Sequence, residues 1–147
     1  MLDKIKGLLA GEEDSLDITK DGAASIEELQ VACGVLLLEM SGRDQDYAPE
    51  EVQAIFSAMA DKFQIEDQQE IYKLLEKSQG EIDKAGKIDQ FIETINKSYT
   101  EAQKIQIVEM AKSVMQADGA VEKDEKKFLT QIATRLQLSK ETIASLL

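Results

Sequence analysis

The sequence predicts an all-α protein that folds as one helical bundle. Helix-favouring residues, chiefly Ala, Leu, Glu, Lys and Gln, are abundant across the 147 residues, whereas Pro occurs once and Trp is absent. Apolar residues recur about every three or four positions, the spacing that places them on one face of a helix. Hydrophobic residues make up 43% and charged residues 31%, a mixture typical of soluble globular domains. At this length one compact core is expected.

Residues 1–24 are predicted to form a short amphipathic N-terminal segment and an acidic linker. The segment carries one apolar stripe and two basic side chains on the other side: Leu2, Ile5, Leu8 and Leu9 against Lys4 and Lys6. A short helix of this kind is expected to pack against its own domain. The alternative is weak attachment to the inner membrane or to a partner, because the segment is mildly positive while the remaining chain is acidic.

The helical domain is predicted to span residues 25–147. Ser25 and Glu28 form a capping box before a helix that extends to about residue 41, and the uncharged run 31–38 indicates that this helix is central. Pro49 suits the first turn of the next helix, over residues 49–63. Another helix begins near residue 66, and Gly80 and Gly86 are expected to break it before the apolar pattern resumes at residue 88.

The second part of this domain follows the same local signals. Thr100 and Gln103 form a second capping box, which begins a helix with a regular apolar face. Residues 123–136 and 139–147 are predicted to form the last two helices. With the N-terminal segment counted separately, seven helices account for the sequence.

The composition excludes several classes of function. Histidine is absent, so Ser-His-Asp and Cys-His catalysis and histidine-bound catalytic zinc are impossible, and no enzyme is predicted. The net charge of −12, without a basic stripe, argues against a nucleic acid partner. Such acidity provides solubility, or it collects cations and basic proteins.

Cys33 is the only cysteine, so the chain cannot form an intramolecular disulfide and a cytoplasmic setting is expected. Its neighbours from Val31 to Leu38 are apolar, and no basic residue adjoins it. The thiol is therefore predicted to be a buried hydrophobe rather than a reactive group.

Two acidic loops of matching design lie 74 residues apart, at residues 44–51 and 118–125. Asp44 precedes Glu51 by seven residues, and Asp118 precedes Glu125 by seven. Each loop follows an apolar helix and leads directly into a second helix. Residues 63–65 then match residues 136–138, and a third helix follows each of these two stretches. The sequence therefore predicts two pseudo-symmetric helix-loop-helix-helix halves that pack around an approximate twofold axis.

The acidic loops have two interpretations. In the structural one, Asp118-Gly119 is a turn, and Glu51 and Glu125 complement the dipole of the following helix. In the other, clustered carboxylates bind a hard cation such as calcium or magnesium, with candidate ligands Asp44, Asp46, Glu51, Asp118, Glu122 and Glu125. An EF-hand is excluded because the twelfth position from each leading Asp is Ile55 or Leu129. A site would need both loops, backbone carbonyls or water to complete six or more ligands.

With these loops placed at helix ends, the chain resembles the TerB family of bacterial tellurite-resistance operons, which is related to the N-terminal domain of the DjlA co-chaperone. The resemblance covers nearly the whole chain and rests on residues 117–125, on the degenerate copy at 44–51 and on residues 2–7. It implies an all-helical domain of about seven helices in two pseudo-symmetric halves. It also implies a non-enzymatic, cytoplasmic module that acts with other proteins of a stress-response complex near the inner membrane.

The resemblance further implies binding of a divalent cation, calcium, magnesium or zinc. The positions carried over are Asp44, Glu51, Asp118 and Glu125, with Asp46, Glu122 and Asp124 as supporting ligands. Gln45 stands where the family has Gly, which favours the second loop as the site. The alternative function is a purely structural adaptor with a co-chaperone-like role, in which the acidic loops are only helix caps.

Overall fold

The structure is a computed structural model that describes residue 16 and residues 24–41, 49–85, 88–117 and 123–147. This part of the chain is 85% helical, with seven helices and no strand, which confirms the all-α prediction. The helices are α1 (Ile26–Ser41), α2 (Pro49–Phe63), α3 (Gln68–Ala85), α4 (Asp89–Ser98), α5 (Glu101–Gln116), α6 (Lys123–Arg135) and α7 (Lys140–Leu146). Within these ranges no helix has both the length and the apolar character needed to cross a membrane.

Both predicted capping boxes are present. The Ser25 hydroxyl accepts a hydrogen bond from the Glu28 backbone N–H at 3.1 Å, and the Glu28 carboxylate accepts one from the Ser25 backbone N–H at 3.4 Å. At α5, Thr100 and Gln103 make the same reciprocal pair at 3.3 and 2.8 Å. Each box satisfies backbone N–H groups that have no partner inside the helix, which explains why α1 and α5 begin where they do.

The predicted break at Gly80 is wrong, because α3 continues through Gly80 to Ala85. Gly80 is exposed, and a Cβ added there would meet nothing within 4 Å. The residue therefore costs the helix only about 1 kcal/mol relative to Ala. Leu75 and Ile82 pack against the core on either side of Gly80, and their burial offsets that cost. Gly86 lies outside the described residues.

The α1 helix occupies the centre of the bundle, as predicted, and contacts α2, α3, α4, α5 and α6. All eight residues 31–38 are buried, and the seven other than Gly34 contribute apolar side chains to the core. Cys33 is fully buried among them, and burial raises the pKa of its thiol. This confirms that Cys33 serves as a core residue.

Gly34 allows α3 to approach α1 closely. A Cβ at this position would lie 2.4 Å from the Ser78 Oγ, much closer than non-bonded atoms tolerate. Ser78 is fully buried, and its hydroxyl lies 2.8 Å from the Leu74 carbonyl oxygen and 3.3 Å from the Val31 carbonyl oxygen. The pair of small residues therefore joins two helices through a polar contact inside the core.

The buried face of α2 is only one row of side chains wide. Ile55, Met59 and Phe63 are buried, whereas Val52 is 38% exposed and Phe56 is only half-buried. The three buried residues recur at every fourth position, so one row of side chains faces the core. Val52 and Phe56 lie beside that row and leave apolar surface in contact with solvent.

The ends of α2 and α6 have the same backbone conformation. Gln64 and Gln137 follow these helices with positive φ angles of 56° and 69°. In both cases the next residue donates its N–H to a carbonyl five residues earlier: Ile65 to Ala60 at 3.0 Å and Leu138 to Ala133 at 3.2 Å. This is the Schellman arrangement of a helix C-terminus. It occurs at the two positions that the predicted repeat aligns, although the twofold relation between the halves stays a prediction.

Candidate functional site

The structure describes part of the predicted cation site. Four of the candidate ligands lie outside the described residues: Asp44, Asp46, Asp118 and Glu122. Glu51 belongs to the first turn of α2, and its side chain is not among those described. Asp124 and Glu125 lie in the first turn of α6, where Asp124 is exposed and Glu125 is half-buried. Carboxylates in that turn complement the positive end of the helix dipole.

The helices that precede the two acidic loops begin side by side. The backbone N–H of Ala24, just before α1, donates to the Ser98 Oγ at 3.3 Å. Ser98 is the last residue of α4 and lies two residues before Thr100, the N-cap of α5. Because α1 and α5 also pack against each other, both start at one end of the bundle, which we call the starting end.

The helices that follow the two loops return to the starting end. The Lys104 ammonium, in the first turns of α5, donates to the Gln137 side-chain oxygen at 3.3 Å, just after α6. In the other half, Glu27 and Gln30 of α1 line a groove together with Ile65, just after α2. Thus α2 ends where α1 begins, and α6 ends where α5 begins. Each pair is antiparallel.

The opposite end of the bundle therefore carries the C-termini of α1 and α5 and the N-termini of α2 and α6. We call it the loop end, because these four helix ends flank both acidic loops. The geometry follows from helix length, since α1 and α5 have 16 residues each and extend for about 24 Å from the starting end. The two loops are thus joined to the same end of the bundle, which their separation in sequence does not reveal.

Within the described ranges, no group of three or more Asp, Glu or Cys residues is arranged to hold a metal ion. Asp124 and Glu125 alone supply too few oxygen atoms for calcium or magnesium, which take six or more ligands. A complete site would need the candidate ligands in the loops themselves.

Two ion pairs connect neighbouring helices in the described part of the chain. Lys77 of α3 forms an exposed ion pair with Glu27 of α1 at 2.6 Å, which lowers the pKa of the Glu27 carboxyl and raises that of the Lys77 ammonium. Arg135 at the end of α6 pairs with Asp89 of α4, and the Arg135 carbonyl accepts a hydrogen bond from the Asn96 amide. These contacts hold neighbouring helices together, and sequence reasoning missed them because their partners are far apart in the chain.

Comparison with known proteins gives a match to one family model over most of the chain. Residues 30–146 match the model described as Tellurite resistance protein TerB. The matched range begins inside α1, ends in α7 and includes both acidic loops. Searches of the curated proteins and of the solved structures gave no match.

Proposed function

Because the chain belongs to the TerB family, we propose that it is a non-enzymatic binding module of a bacterial stress-response complex of the tellurite-resistance type. In this proposal the two acidic loops together hold a divalent cation: calcium, magnesium or zinc. Other proteins of the complex are its partners, and the module works in the cytoplasm.

The observation that carries the proposal is the common location of four helix ends. The C-termini of α1 and α5 and the N-termini of α2 and α6 lie at the loop end, which supports a site that takes oxygen ligands from both loops. Hard cations need six or more oxygens, and neither acidic loop has the EF-hand spacing by which a single loop supplies them. The net charge of −12 adds an attractive potential for cations.

Titration of the 147-residue protein with each cation tests the proposal. Calorimetry gives the affinity, and NMR identifies the residues that respond. We expect the double variant D118N/E125Q to bind at least about tenfold more weakly, because it removes two anionic ligands. A shared site also requires the first loop, so D44N/E51Q is expected to weaken binding comparably.

A matched control variant distinguishes ligation of the cation by the loop carboxylates from a general effect of net charge on cation binding. D67N/E101Q removes the same number of charges at the starting end, where Asp67 precedes α3 and Glu101 lies in the first turn of α5. Both control residues are exposed. Affinity should change less than about twofold in this variant. Equal weakening in the control and the loop variants would mean that cations respond only to net charge, and the proposal would fail.

A structural adaptor is the second candidate, and one observation favours it. Asp124 and Glu125 lie in the first turn of α6, where carboxylates stabilise a helix without any cation. On this view D118N/E125Q lowers the free energy of unfolding by about 0.3–1 kcal/mol, the dipole interaction of the Glu125 carboxylate, but leaves the binding of partner proteins intact. Measuring stability and partner binding on the same variants distinguishes the two functions.

A further inference from the structure

Leu16 is part of the hydrophobic core, although it lies inside the predicted acidic linker. Its side chain is fully buried and belongs to the same apolar cluster as the core residues of the helices. Its backbone carbonyl accepts a hydrogen bond from the hydroxyl of Tyr99, which is itself fully buried. The bundle therefore binds both the side chain and a backbone group of this one residue.

A second contact holds the chain just before α1. The backbone N–H of Ala24 donates to the Ser98 Oγ at 3.3 Å, and Ser98 is fully buried. Ser98 is the last residue of α4, and Tyr99 follows it at the junction with α5. Leu16 and Ala24 are thus bound by two consecutive residues at the starting end.

The two kinds of contact contribute differently to this attachment. Ordering a chain end costs conformational entropy for every residue that is fixed. A hydrogen bond offsets little of that cost, because it replaces a hydrogen bond to water. Complete burial of a leucine side chain contributes more, since it removes a large apolar area from water. The Leu16 side chain is therefore the main source of the attachment, and the Tyr99 hydroxyl fixes the backbone beside it.

We propose that Leu16 is an anchor that attaches the N-terminal segment to the starting end of the bundle. The folded unit then begins at Leu16 rather than at residue 25. Residues 1–15 join it at the end opposite to the acidic loops, about 24 Å away along the 16 residues of α5. The matched family range begins only at residue 30, so the anchor is a contact from outside that range. This inference does not depend on cation binding.

Thermal unfolding of point variants of the 147-residue chain tests the anchor. L16A should lower the Tm by about 4–20 °C, as expected for a leucine removed from a closed core. L129A is the benchmark, because Leu129 is also fully buried, and V52A is the control, because Val52 is 38% exposed. V52A should change the Tm by less than about 2 °C. If L16A changed the Tm no more than V52A does, the anchor would be refuted.

A double-mutant cycle tests the contact between Leu16 and Tyr99 itself. Y99F removes the hydroxyl and should lower the Tm by about 2–4 °C. In the L16A background this loss should disappear, because the Leu16 carbonyl is no longer held in place. A loss from Y99F that is the same in both backgrounds would contradict the proposal, since the hydroxyl would then act independently of Leu16.

A nitroxide spin label tests where the N-terminal segment joins the fold. Cys33 is fully buried, so the label reacts with an introduced cysteine. D14C carries the label two residues from Leu16, within about 7 Å along the chain. Q116C is the matched control, because Gln116 is exposed and is the last residue of α5, at the loop end.

The broadening of amide NMR signals gives the result. The label on D14C should broaden the signal of Thr100, at the starting end, far more than that of Glu125, at the loop end. The label on Q116C should give the reverse order. Adding L16A to D14C should remove the preference for Thr100. Equal broadening at both ends, or stronger broadening of Glu125 from D14C, would overturn the proposal.

Discussion

Replacing Gly34 with Ala tests the contact that joins α1 to α3. Gly is a poor helix residue, so on helix propensity alone G34A would stabilise α1 by about 1 kcal/mol. The added Cβ, however, would lie 2.4 Å from the Ser78 Oγ and 3.1 Å from its Cβ. Ser78 is fully buried, so its side chain cannot turn toward solvent. Either the serine changes rotamer or the two helices move apart.

The expected loss follows from these contacts. Overpacking a closed core contact costs about 1–3 kcal/mol. Moving the Ser78 hydroxyl also weakens its 3.3 Å hydrogen bond to the Val31 carbonyl, a contribution of roughly 1 kcal/mol. After the gain in propensity is subtracted, G34A should destabilise the fold by about 1–3 kcal/mol. For a chain of this length each kcal/mol lowers the Tm by about 2–4 °C.

Urea unfolding monitored by circular dichroism measures this change. G80A is the matched control, because Gly80 also lies inside a helix but an added Cβ meets nothing within 4 Å. G80A should therefore stabilise the protein by about 0.5–1 kcal/mol. Removing the hydroxyl in G34A/S78A should make the double variant more stable than the sum of the single changes predicts. If G34A were as stable as G80A, the close approach of α1 and α3 would be refuted.

Three further predictions concern a thiol, an ion pair and a helix cap. Burial raises the pKa of the Cys33 thiol. A thiol-reactive disulfide reagent at about pH 8 should therefore react with Cys33 only as the protein unfolds. Fast reaction in native buffer would contradict the buried position of the thiol. The Glu27–Lys77 pair stabilises the fold between its two folded pKa values, because the pKa of Glu27 is lowered and that of Lys77 is raised. Its contribution is lost as the pH falls through the folded pKa of Glu27 or rises through that of Lys77. Since both groups are exposed, E27Q should lower the Tm slightly at low salt and not at about 0.5 M NaCl, and a loss that persists in salt would refute this assignment. T100A removes the acceptor for the Gln103 N–H and should cost about 1 kcal/mol in urea unfolding; an unchanged midpoint would show that the capping box does not stabilise α5.

Helix positions could be predicted because local chemistry sets them. The capping boxes at Ser25 and Thr100 and the proline at the start of α2 act within one helical turn, so a short stretch of sequence contains all the relevant groups. Gly80 was misjudged because its cost is small, and the packing of Leu75 and Ile82 that outweighs it depends on other helices. A propensity signal of about 1 kcal/mol does not determine where a packed helix ends.

The sequence predicted the candidate site only in part: it selected the residues but not their arrangement in space. Sequence spacing selected the carboxylates in both loops, and the structure places Asp124 and Glu125 in the first turn of α6. Spacing did not show that both loops join the same end of the bundle. That relation depends on the contact of Ala24 with Ser98 and of Lys104 with Gln137, between residues that lie 74 and 33 positions apart.

The sequence by itself determined the helical class, the central position of α1, the buried Cys33 thiol and the absence of histidine chemistry. Each of these follows from composition or from a pattern within one helix. The tertiary structure decided which helical glycine the packing requires. Gly34 is required because Ser78 of α3 packs against it. It also decided that Val52 stays exposed and that four helix ends lie at the same end of the bundle. These features arise from the packing of distant segments, and local periodicity carries no information about which helices become neighbours.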